Sequence, residues 1–104
     1  MSAPGPIPAL SPTPAQCGLW LRRVRVLKKA SEKFTDTGGL YPIDAWLSRN
    51  PERLPAGCAE ALLVVAEGLK DAAELDPRDA AFLARQKSEA ENLAQELLPY
   101  EEST

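Results

Sequence analysis

Two amphipathic stretches of about 20 residues meet at Asp76-Pro77-Arg78-Asp79, and that junction leaves the chain little freedom in how to fold. Pro77 suits a first helical position, Asp76 before it is a favoured N-cap, and Asp79 lies where a capping-box acid would. One helix therefore ends and the next begins within a few residues, which folds the pair back on itself. Before the junction, residues 55–75 put Ala59, Leu62, Val65, Ala66, Leu69, Ala72 and Ala73 on one side, with Leu63 at the margin. Glu60, Glu67, Asp71 and Glu74 form an acidic stripe opposite. After it, residues 77–98 align Phe82, Leu83, Ala90, Leu93, Ala94, Leu97 and Leu98, with Gln86 as a polar break. The spacing predicts a long antiparallel hairpin, each arm roughly 30 Å long.

The rest of the chain also reads as helix. Sixteen Ala and 15 Leu stand against two Ile and four Val, so the β-branched residues that build a sheet core are scarce. Residues 18–35 place Leu19, Trp20, Val24, Val26, Leu27, Ala30 and Phe34 on a broad apolar face and a row of cations on the other. Gly38-Gly39 ends that element. A short helix follows over residues 42–48, with Pro42 at its start and Ile43, Trp46 and Leu47 on its apolar side; Asn50-Pro51 breaks it. The expected fold is all-α: a small helical bundle made of the hairpin, a short Trp-bearing helix and a basic amphipathic helix.

Five of the ten prolines fall within the first 14 positions. Residues 1–16, with missing amide donors and little apolar surface, are expected to be a disordered Pro-rich tail, and residues 100–104 a frayed acidic end. Residues 17–99 then form one helical domain. At fewer than about 90 residues such a domain buries only roughly 60 to 65% of its surface and gains from a partner or a second copy. Homodimerisation is expected on that ground, with Gln86 placed to set register. The N-terminal residues carry neither the cations nor the apolar run of a secretory signal, and no apolar stretch approaches the roughly 20 residues of a membrane span. A cytoplasmic location follows as the expectation.

The chain has no His. That removes Ser-His and Cys-His nucleophile pairs, Cys2His2 zinc sites and the commonest proton shuttle near neutral pH. Cys17 and Cys58 are far apart in sequence, and without His two thiols give no metal ligand set. Cys58 falls in a first helical turn, where the macrodipole favours a thiolate, but Glu60 beside it works the other way, and the expected role is structural. Asp36-Thr37-Gly38 is similar to the short signature of aspartic proteases. The likeness spans three residues, and that chemistry needs two such Asp in a β-rich dimer. Here the triplet reads as a helix-terminating loop. No cofactor, metal or catalytic residue is expected.

What remains is charge. Residues 1–35 hold six basic residues and one acid, a balance of +5, while residues 36–104 hold six basic residues and 14 acids, a balance of −8. The formal net charge of −3 hides this. Arg22, Arg23, Arg25, Lys28, Lys29 and Lys33 are the candidate partner-binding cations, and Tyr41 and Trp46, with Leu47, the candidate aromatic anchor, although a core role is favoured for this group because only six aromatics exist to fill the core. The leading expectation is a non-catalytic protein-protein interaction module, an adaptor, assembly factor or inhibitor of a larger complex. The alternative is a nucleic-acid-binding accessory protein using the same helix, since six cations beside Trp20 can neutralise phosphates. An anionic membrane surface is a third, weaker candidate. Against all of these stands an ordinary solvated face, neutralised by the acidic stripe of residues 60–74.

Overall fold

A computed structural model describes residues 10–102 of the chain. Its helices among the described residues are α1 (Pro14–Ser31), α2 (Leu40–Ser48), α3 (Cys58–Leu75) and α4 (Ala80–Leu97), followed by a 3-10 turn at Leu98–Tyr100. The all-α bundle expected from the sequence is present, and α3 and α4 form its long hairpin. α1 lies across α2 and α4. One apolar core joins them: Trp20, Val24 and Leu27 of α1, Leu40, Ile43 and Leu47 of α2, and the Leu rows of α3 and α4 are all buried. Each fully buried Leu contributes about 1.5 to 3 kcal/mol. A surface ion pair contributes at most about 1 kcal/mol, so packing and not charge holds the helices together.

The element boundaries differ from the sequence expectation, each for a local reason. α1 starts at Pro14, not Gly18, because Thr13-Pro14-Ala15-Gln16 forms a capping box. The Thr13 hydroxyl accepts from the Gln16 N–H at 3.1 Å, and Gln16 Oε1 accepts from the Thr13 N–H at 2.8 Å. Leu10 N–H also donates to the Pro99 carbonyl at 3.1 Å. Residues 10–16 are thus held against the domain where a solvated tail was expected; residues 1–9 lie outside the described residues. α1 stops at Ser31, where the Phe34 and Thr35 N–H groups return to the Ser31 carbonyl. The turn sets the Phe34 ring 6.1 Å from that of Phe82 and brings Thr35 directly over Gly68.

Residues 100–102 are docked as well, where fraying was expected; residues 103 and 104 lie outside the described residues. Leu54 N–H donates to the Tyr100 carbonyl at 2.9 Å, and Glu102 N–H donates to the Leu54 carbonyl at 2.7 Å. Tyr100 packs edge-on against Trp20, ring centroids 4.9 Å apart, and its hydroxyl accepts from the Gln16 side-chain amide at 3.0 Å. α3 begins at Cys58 and not at Pro55. Gly57 before it has φ +100°, a left-handed conformation suited to glycine, and the chain's own Glu101 carboxylate accepts from the Gly57, Cys58 and Ala59 N–H groups. α4 begins at Ala80. Asp76 does not cap it: its carboxylate accepts from Arg78 N–H at 3.2 Å and its carbonyl from Asp79 N–H at 3.2 Å, so residues 76–79 make the hairpin turn itself.

Candidate interaction surface

The five cations of α1, and Lys33 in the turn after it, divide by direction. Residues 23 and 25 flank the buried row Trp20, Val24, Leu27 on either side, so each leans toward a neighbouring helix. Arg23 Nε lies 2.7 Å from Glu89 Oε1 and its Nη1 2.6 Å from Glu96 Oε2, both on α4. Arg25 Nε lies 2.9 Å from Asp44 Oδ2 on α2, and this hydrogen bond, more than any other influence, holds the Asp44 carboxyl below its ordinary pKa. The Lys28 ammonium sits 4.3 Å from the centre of the Tyr41 ring. Half of the expected binding cations therefore serve the fold. The partners come from α2 and α4, and the acidic stripe of α3 is not what neutralises them.

Arg22, Lys29 and Lys33 are left. All three are exposed, and among the described residues none has a carboxylate within ion-pair distance. Leu19 and Val26, expected in the core, join them on the outer surface; Val26 is 67% exposed. The apolar face of α1 is thus narrower than the sequence predicted, because Cys17, Trp20, Val24, Leu27 and Ser31 are its buried residues, with Leu21 packed at their edge.

On α2, Leu40, Ile43 and Leu47 point inward and Tyr41 and Trp46 outward, 58% and 40% exposed. The competing core role for Trp46 is set aside by that exposure. Arg49 lies over the Trp46 ring at 6.0 Å. Trp46 also borders a cleft of about 270 Å³ with Pro42, Pro55 and Ala56. A second cleft of about 380 Å³ continues from it past Gly39, Gly57 and Ala61, and Asp36, Glu60 and Val64 line its far part. Together they make a groove between α2 and α3 with an apolar floor, an aromatic at one end and two acids at the other. Val64, on the outer side of α3, was marked in the sequence only by its break in the acidic stripe, and Leu63, expected at the margin of the apolar face, is exposed too.

The acid and the two thiols weighed in the sequence are placed as follows. Asp36 Oδ1 accepts from Gly38 N–H at 2.8 Å, closing the Asp36-Thr37-Gly38 loop on itself. Both Cys are free and buried. Burial, with Glu101 adding to it, pushes the Cys58 thiol up to about 11, against the thiolate that a helix N-terminus would favour. Cys17 is raised by burial too. Among the described residues no three Cys, Asp or Glu side chains gather to hold a metal ion, and no helix is long and apolar enough to cross a membrane.

No protein-family model, curated protein or solved structure matches the chain.

Proposed function

We propose that the protein is a non-catalytic interaction module, an adaptor, assembly factor or inhibitor of a larger complex, that docks through the outer faces of α1 and α2. The observation that carries this reading is that Arg22 and Lys29 of α1 and Lys33 in the turn after it are exposed with no ion-pair partner among the described residues, while α2 turns Tyr41 and Trp46 outward. Trp, Tyr and Arg anchors dominate interface energetics, and surrounding charges steer the encounter and select the partner. The charge-reversed variant R22E/K29E/K33E and the variant W46A leave the core and the Arg23 and Arg25 ion pairs intact. Used beside wild type in a pull-down from source lysate, they are expected to lose the proteins that wild type retains. Turnover by the purified protein that disappears on changing Asp36 or Cys58 would overturn the reading.

One observation favours nucleic acid as the second reading. Lys29 and Lys33 border a cleft of about 360 Å³ lined by Phe34 and Phe82, and cations beside aromatic rings are what single strands use for backbone and base. Asp79 in the same cleft opposes a phosphate. A gel shift with a single-stranded oligonucleotide at low salt, lost in K29E/K33E, supports this reading; no shift removes it.

A further inference from the structure

Arg22, Val26 and Lys29 of α1 are spaced by four and three residues, and Lys33, four further on, lies in the turn just past the end of the helix. Glu60, Val64, Glu67 and Asp71 of α3 have the same spacing with the charges reversed. A repeat of alternating three and four keeps side chains on one ridge of a helix, and it is the repeat by which two helices pack side by side. In the fold each ridge lies opposite the buried side of its own helix: α1 buries Trp20, Val24 and Leu27, and α3 buries Leu62, Val65 and Leu69. All eight side chains are exposed, Val26 at 67% and Val64 at 64%. Five of the six charged groups have no ion-pair partner among the described residues; Glu67 has only Lys70 at 3.9 Å. Both ridges point away from the shared core, so they cannot meet within one chain.

We infer that the α1 ridge of one copy docks in parallel on the α3 ridge of a second copy, with Val26 against Val64. That register sets Arg22 opposite Glu60 and Lys29 opposite Glu67, and brings Lys33, in the turn after α1, toward Asp71. It also lays α1 along the rim of the groove that Glu60 and Val64 border. The opposite signs decide the pairing: α1 on α1 or α3 on α3 would set like charges face to face, a cost that selects the unlike pair. The contact joins two different faces, so it either occurs twice in a two-fold pair, making that interface isologous, or runs head to tail along a chain of copies. This inference rests on the reading of α1 as a docking face and names its occupant.

Sedimentation velocity over a range of concentrations tests it. Wild type associates at low salt, and the apparent Kd weakens about tenfold or more when the salt is raised to roughly 0.5 M, as exposed ion pairs require. R22E/K29E/K33E and E60K/E67K/D71K, each folded by circular dichroism, are each monomeric alone and associate when mixed. The variant carrying all six changes associates again by itself. Wild type that stays monomeric at low salt, or variants that associate alone as wild type does, would overturn the inference. If wild type is monomeric yet still captures a different protein through α1, the docking role of α1 stands and the second copy as occupant falls. If charge reversal on α1 changes neither, both fall.

Discussion

Glu101 closes the N-terminus of α3: its carboxylate accepts the Cys58 N–H at 3.0 Å while the Gly57 and Ala59 N–H groups point at the same group. A helix that starts on a left-handed glycine has no side-chain cap of its own, and the far end of the chain supplies one. The cap also ties Leu54, Tyr100 and Trp20 into one cluster.

Replacing Glu101 by Ala is expected to lower unfolding free energy by about 1 to 2 kcal/mol, the cost of an N-cap, read from the urea midpoint. E101Q should recover part of that loss, because an amide oxygen still accepts while the charge opposite the helix dipole is gone.

Stability should fall at high pH, with Cys58 as one source. The thiol is raised from an ordinary value of 9.0 to about 11 in the folded chain, so the native state keeps its proton where the unfolded chain releases it. Its contribution is full below pH 9 and is lost as pH rises toward 11, about 2 to 3 kcal/mol in all. Chemical denaturation of C58A beside wild type checks this: the variant should lose less stability over that interval, and equal losses would contradict the assignment.

Gly68 is a packing glycine. A Cβ there would fall on the Thr35 Oγ1. G68A should therefore destabilise by about 1 to 3 kcal/mol, as overpacking does, although alanine is the better helix former. T35A/G68A should recover most of the loss, so the two changes will be strongly non-additive in thermal unfolding.

Arg23 bridges α1 to α4, but its groups are partly solvated. R23A should cost about 1 kcal/mol or less, and less again at high salt. L27A, in the fully buried contact beside it, should cost about 2 to 5 kcal/mol. Reversal of that order in a denaturant titration would contradict a fold held by packing.

The helices themselves were legible in the sequence because the apolar periodicity of residues 55–98 and the Asp-Pro junction agree with one another. The ends were not. α3 is capped from Glu101, a partner distant in sequence that no local pattern names, whereas the Thr13 to Gln16 capping box was written in the sequence and hidden by the prolines around it. On α1 the candidate binding cations were visible, but which of them the fold would use was not. Arg23 and Arg25 flank the buried row and meet acids on α4 and α2, while Arg22, Lys29 and Lys33 sit behind it. Leu19 and Val26 looked like core because hydropathy alone cannot say how wide a face its neighbours will cover.

The central claim is that α1 and α2 present a protein-docking surface. Its most direct test is photo-crosslinking in cells with benzoylphenylalanine placed singly at Val26, at Trp46 and, as an exposed control on α4, at Ala84. Discrete protein adducts at Val26 and Trp46 and none at Ala84 are predicted. No adduct at either site, a nucleic-acid adduct at Val26, or the same adducts at Ala84 would contradict the account.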